Sequence, residues 1–309
     1  MTGKQAARYS NSPLVPNLIN WFTYVLFRFL RIFIKPKNAV KKVHPLLITG
    51  LFRSGTTITA RIVNELGFSA GPDHHLLKAI GSRKDLNPDG FLENHFCMEL
   101  SMYLFYKTNS WGDAPPDKSK VKDLELNAED DNKMVKFSLM KVHDDRISNL
   151  NKLKTQLEGS ASYPEKYFDS NFPERSFVKN PHIAVLFPYF RRLFPRSQVL
   201  VVFRNPVDAI NSAKKVSPLV NFELYVLYYK ELVEEFKNGN KNILFFSYDN
   251  LIQKRELSVK AIASALNNPS SNSKAVVNKK EIQGLSKLNE VPAKTKDIYD
   301  FMLSNCINQ

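Results

Sequence analysis

Apolar residues along this chain fall into short continuous runs separated by stretches of helical periodicity. Leu46-Leu47-Ile48-Thr49, the segment Ser176 to Lys179, Gln198 to Phe203 and Asn242 to Tyr248 read as strands. The third, Val199-Leu200-Val201-Val202-Phe203, is continuous and largely β-branched, the pattern of a strand buried on both faces. Helical spacing follows from Ile58 to Leu66, with Gly67 as C-cap, then from Asn94 to about Tyr106 and near Asp131–Val142. It returns over Ile183–Leu193, from Pro206 to about Val216, over Phe222–Lys237 and from Asp249 to Leu266. Phe68–Gly71 reads as a short extra strand, and 111–174 as an irregular insertion of weak pattern. Strands alternating with helices predict an α/β fold: a P-loop-like three-layer sandwich around a central, mainly parallel sheet.

Ligands of such sheets sit at the strand C-termini, and two of these ends carry anion-binding chemistry. After the first strand comes Gly50-Leu51-Phe52-Arg53-Ser54-Gly55-Thr56-Thr57, a glycine-bounded loop that opens a helix. Backbone N–H groups and the helix dipole favour negative charge there. The Gly50-x4-Gly55 spacing matches the start of a Walker A loop, but Thr56 stands where that motif needs lysine, and Arg53 is the nearest cation. After the third strand come Arg204, Asn205 as an N-cap and Pro206 at the first helical position, with Ser212 two turns on. Two arginine-and-hydroxyl sites on neighbouring strand ends suit a nucleoside carrying phosphates at both ends.

Composition narrows the class without changing the fold. The chain has 309 residues, 43% of them hydrophobic, with 22 Phe and 12 Tyr, enough for a large core. A net charge of +14 suits a polyanionic ligand, an anionic membrane or nucleic acid, but no nucleic-acid-binding module is present in the sequence. Cys97 and Cys306 fit no metal spacing and read as reduced thiols. His74 and His75 read as loop surface, and no metal-ligand cluster stands out. Residues 18–34 are dense in Phe, Leu and Ile, but Arg28 and Arg31 interrupt them, so they read neither as a transmembrane span nor as a signal peptide. They fit an amphipathic helix on an anionic membrane surface, or one packed on the domain or on a second copy in a homodimer. The expected organisation is a tail and helix over 1–42, a domain over 43–268 and a C-terminal extension over 269–309 that packs on the domain. The expected location is cytoplasmic, at or near a membrane, with the Golgi lumen as the alternative.

Taken together these motifs resemble the sulfotransferase family, which uses 3′-phosphoadenosine-5′-phosphosulfate. Thr49 to Thr57 looks like its 5′-phosphosulfate loop, and Val201 to Pro206 with Ser212 like its 3′-phosphate motif. Phe177-Val178-Lys179-Asn180-Pro181, Phe246 to Leu251 and Asn87-Pro88-Asp89-Gly90-Phe91-Leu92-Glu93 follow its bacterial and carbohydrate-type branch. The resemblance covers roughly residues 44–266. It implies that Arg53, Ser54, Gly55, Thr56 and Thr57 cradle the 5′-phosphosulfate, and that Arg204 and Ser212 hold the 3′-phosphate. Glu93 is the implied catalytic base, with His95 in reserve, and Lys179 reads as a structural strand-end cap, with contact to the cofactor or acceptor as the alternative. The Arg-Lys-Gly segment of cytosolic members is absent, and Lys279 and Lys280 are its candidate replacements.

The implied reaction moves a sulfuryl group to a hydroxyl or amine of a glycan, lipid or small molecule and releases 3′,5′-bisphosphoadenosine. Positioning and charge neutralisation dominate such in-line transfers, so Arg53 and Glu93 carry the catalysis and no metal is required. Two rival functions follow from the same residues. One is a P-loop kinase, which would depend on magnesium; the other is a non-catalytic, membrane-associated nucleotide-binding protein.

Overall fold

The computed structural model describes residues 42–78, 90–140, 158–267, 286–288 and 291–309, together with Val25, Phe29 and Thr155. Its centre is a parallel sheet of four strands: β1 (Leu46–Thr49), β2 (Phe177–Lys179), β3 (Val199–Phe203) and β4 (Ile243–Ser247), in the order β2-β1-β3-β4. The register pairs Ile48 with Lys179 on one side of β1 and with Leu200 on the other. Successive side chains point to opposite faces of a strand, and here both faces are apolar. Leu47, Val178, Val199, Val201, Phe203 and Phe245 enter one core, while Leu46, Ile48, Phe177, Leu200, Val202 and Phe246 enter the other. That two-sided burial is why the strands read as unbroken apolar runs.

The second core is closed by α1 (Thr56–Glu65), α9 (Tyr248–Gln253) and α10 (Arg255–Ala265). The larger first core is covered by α2 (His95–Lys107), α6 (Phe187–Leu193), α7 (Pro206–Lys214), α8 (Phe222–Lys237) and α11 (Ala293–Ser304). The expected three-layer α/β sandwich is what the chain forms.

Several local expectations change. The helix expected over Asp249–Leu266 is broken at Lys254 (φ −132°, ψ 56°) into α9 and α10. The helix expected from Ile183 is a 3-10 turn, Pro181–Ile183, followed by α6, because Asn180 caps the turn at His182 N. Phe68–Gly71 contributes a single bridge, Ser69 to Ser176, rather than a strand. The 111–174 insertion holds α3 (Lys118–Lys122), α4 (Ala128–Met140) and α5 (Pro164–Asn171). Buried Asp130 anchors it, accepting hydrogen bonds from Tyr103 Oη at 2.6 Å and Lys107 Nζ at 3.0 Å, both on α2. This tertiary tie leaves no periodic mark in the sequence.

Of the 18–34 segment only Val25 and Phe29 are described, both helical and exposed; the rest of that expectation lies outside the described residues, as do Lys279 and Lys280. Among the described residues no helix is long and apolar enough to cross a membrane.

Candidate active site

The loop after β1 is shaped by two close approaches. Gly50 adopts φ 144°, and a Cβ there would lie 2.0 Å from the Val202 carbonyl oxygen on β3. At Gly55, φ 93°, a Cβ would lie 2.1 Å from the Tyr248 ring. Only glycine fits either position. Gly55 is also the N-cap of α1, and it supplies no side-chain cap, nor is there an acidic residue in the first turn. The first N–H groups of a ten-residue helix thus end at the loop without a carboxylate to meet them, an arrangement that favours an anion.

Tyr229 of α8 holds this loop to the sheet. Its buried hydroxyl accepts from Leu51 N at 3.0 Å and lies 3.0 Å from Val202 O and 3.2 Å from Ser54 Oγ. Burial pushes its phenol well above the usual range, so it acts as a neutral clamp. Arg53 sits at φ 70°, a conformation rare for a residue with a side chain, and one found concentrated at functional sites. From there its Nε donates to Ser212 Oγ at 3.4 Å. The first loop and the helix of the second motif therefore meet through residues 159 positions apart.

On β3 the chain leaves the sheet at Arg204, and Asn205 caps α7 through Oδ1 to Val207 N at 3.0 Å. The Arg204 guanidinium lies 5.0 Å from the centre of the Tyr248 ring, the same ring that fills the space beside Gly55. Arg204 Nε is buried and has no hydrogen-bond partner among the described residues. Buried donors are normally satisfied, so an unmet guanidinium N–H at a strand end fits a site for an anion.

Asp249 lies beneath this corner. It accepts from Asn205 N at 2.6 Å and from Tyr299 Oη of α11 at 3.3 Å. Burial raises its carboxyl to about 6, opposed by the Asn205 N–H and the Arg204 charge and reinforced by Asp208. A folded pKa above the unfolded value means that the charged form destabilises the fold. The contribution of Asp249 is fully present below about pH 4 and is lost as pH rises through about 6. The melting temperature of the wild type should therefore fall relative to Asp249→Asn between pH 4 and 7, with the difference levelling above that range. Thermal melts of both across pH check this, and parallel curves would refute it.

Glu93 and Lys179 form a buried ion pair, Nζ to Oε1, with the residues 9% and 2% exposed. Lys179 ends β2, beside Ile48 of β1. Glu93 is held from the other side by a turn with Gly90 and Leu92 at positive φ, by Leu77 N donating to its carbonyl at 2.8 Å, and by the Leu76–Asn94 bridge. Asn94 then caps α2 at Cys97 N. Lys179 thus has a specific acidic partner at the sheet edge, which the structural reading of it from sequence did not include. Cys97 beneath the pair is driven to about 12, chiefly by burial, and is no nucleophile. His95, the alternative base, is the first residue of α2 and is also buried.

The four strand ends therefore present, in spatial order, Lys179 with Glu93 (β2), the Arg53 loop (β1), Arg204 (β3) and Tyr248 with Asp249 (β4). Sequence reasoning named Arg53, Ser54, Gly55, Thr56, Thr57, Glu93, Arg204 and Ser212, but it missed the supporting Tyr229, Tyr248 and Asp249. Tyr248 and Asp249 were within reach of the rule that strand C-termini carry the site; Tyr229, mid-helix, had no such signal.

The same segments are matched by a family profile described as the sulfotransferase family, which covers residues 45–271. The solved structure of sulfotransferase STF1 from Mycobacterium tuberculosis H37Rv is similar at 13% identity, over 82% of this chain and 73% of that one, with a TM-score of 0.37. Sulfotransferase STF9 from Mycobacterium avium is similar at 14% identity, over 86% of this chain and 68% of that one, with a TM-score of 0.35. No curated protein sequence matches the chain. The profile spans both anion loops, the Glu93–Lys179 pair and all four strands, and on that basis the chain belongs to the sulfotransferase family.

Proposed function

We propose that this protein transfers the sulfuryl group of 3′-phosphoadenosine-5′-phosphosulfate to a hydroxyl or amine of an acceptor by in-line displacement. The observation that carries the reading is the order of groups along the sheet edge: acid–base pair, uncapped glycine loop, unsatisfied arginine. The residues fit the donor on two counts, the buried Arg204 Nε without a partner and the glycine cradle that any Cβ would fill.

When bound, the donor supplies an activated sulfuryl group and a 5′-phosphate leaving group. Arg53 with the backbone N–H groups of Gly55 to Thr57 would stabilise the charge that develops on that phosphate, the Ser54 N–H being spent on the Leu51 carbonyl at 3.1 Å, and stabilisation of this kind usually contributes most to the rate of such reactions. Arg204 and Ser212 would hold the 3′-phosphate and set the register of the nucleoside. The Arg53–Ser212 contact couples the two grips, so both phosphates are positioned by one rigid corner. Glu93 would take the proton of the acceptor, with Lys179 holding Oε1 in place. The kinase reading loses ground because Thr56 starts α1 where a P-loop lysine would stand.

Labelled donor offered with a panel of glycans, lipids and phenols, with product mass detection, tests the activity and identifies the acceptor class. Failure of every acceptor together with failure to bind 3′,5′-bisphosphoadenosine would overturn the proposal. Residues 18–34 are assigned in the same reading to contact with an anionic membrane or with a second copy of the chain. Arg204→Lys should weaken binding of 3′,5′-bisphosphoadenosine about 10- to 100-fold, the worth of one or two hydrogen bonds to a charged group. Adenosine 5′-monophosphate, which lacks the 3′-phosphate, should be affected little. Calorimetric titration of both nucleotides separates the outcomes, and an equal loss for the two would remove Arg204 from the 3′-phosphate.

A further inference from the structure

Away from the strand ends, His74, His75 and Glu158 converge, with their candidate donor atoms all within 4.8 Å of one another. The sequence reading placed both histidines on the loop surface. In the structure His75 is fully buried and only His74 is exposed, because the 3-10 turn Asp73–His75 points His75 inward against Tyr167 of α5.

We propose that these three side chains form a binding site for a divalent transition metal, with zinc as the best-suited ion. The donor set, two imidazoles and one carboxylate, is a known zinc combination that leaves a fourth position to water. The spacing supports it. With zinc–nitrogen and zinc–oxygen bonds of about 2.0–2.2 Å, two ligands on a tetrahedron lie about 3.4 Å apart. His75 Nε2 and Glu158 Oε2 are 3.4 Å apart, longer than a good charge-assisted hydrogen bond and equal to that edge. The His74 ring sits beside His75 with centroids 4.1 Å apart, and being exposed it can turn to complete the set.

The outer arrangement fits as well. Metal-binding histidines have the second ring nitrogen fixed by a hydrogen bond. His75 Nδ1 lies 2.8 Å from Tyr167 Oη, which in turn accepts from Asn94 Nδ2 at 2.9 Å. Asn94 follows Glu93, and Leu77 is bonded to the Glu93 carbonyl. A metal here would clip the 73–78 segment to the insertion at Glu158 and stiffen the backbone that carries Glu93. It takes no part in the chemistry, so its presence is independent of the proposed sulfuryl transfer.

Metal content decides the matter without reference to activity. The full chain is stripped with chelator, equilibrated with micromolar zinc, passed through a desalting column and assayed for metal by mass spectrometry. Wild type should retain one zinc per chain and gain thermal stability from it. His74→Ala and Glu158→Gln should each bind zinc about 100-fold more weakly or worse, since loss of an outer-shell partner alone costs about 10- to 100-fold. Both variants should melt like metal-free wild type, showing that the fold is intact. A wild type that retains no zinc, as expected of a plain His75–Glu158 ion pair, overturns the site. So does undiminished retention by either variant, which would place the metal on other histidines.

Discussion

Glu93→Gln is expected to lower turnover with saturating donor by about 100- to 10,000-fold, the usual contribution of a positioned general base. Glutamine keeps an oxygen that can accept from Lys179 Nζ, so the contact at the end of β2 survives while the proton acceptor is lost. Affinity for 3′,5′-bisphosphoadenosine should stay within about twofold, because Arg53, Arg204 and Ser212 are untouched. Single-turnover rates and nucleotide titrations on the same preparation give both numbers. Unchanged turnover would sink the assignment of Glu93 and direct attention to His95.

Lys179→Met carries the largest expected effect on stability. Both partners of the pair are taken out of water, and methionine fills the volume without supplying charge. Removing one partner of a buried pair leaves the other uncompensated, at a cost of about 3–5 kcal/mol. For a domain of this size that corresponds to a melting-point drop of roughly 6–20 °C. The double variant Lys179→Met, Glu93→Gln should recover much of the loss, since no lone charge is then buried. If the single variant melts within a degree or two of wild type, the pair contributes nothing to the fold. The two experiments are complementary: Glu93→Gln tests the proposed proton transfer, its melting point reporting the lone Lys179 charge that it leaves, and Lys179→Met tests what holds Glu93 in place.

Much of the scaffold is legible in the sequence. The runs at 46–49, 199–203 and 243–247 are apolar on every residue or nearly so, and burial on both faces permits little else. The glycine loop was legible because Gly50 and Gly55 stand where no side chain fits. The middle of the chain was not. Helices α3, α4 and α5 are short or polar, and the insertion is anchored by buried groups such as Asp130, which periodicity does not report. His75 misled for a related reason: a polar residue in a turn reads as surface, and only packing against Tyr167 draws it in.

By itself, the sequence determined the class of fold and the order of the two candidate anion loops, because these depend on local features: apolar runs, glycine spacing and helix starts. Which strand lies beside which, β2-β1-β3-β4, was decided only in three dimensions, and with it the meeting of Arg53 with Ser212 and of Glu93 with Lys179. The same is true of Tyr229, Tyr248 and Asp249, whose roles arise from contacts across 27 to 193 positions. Such contacts form because two cores must be closed on both faces of one sheet. No short window of sequence carries that global constraint.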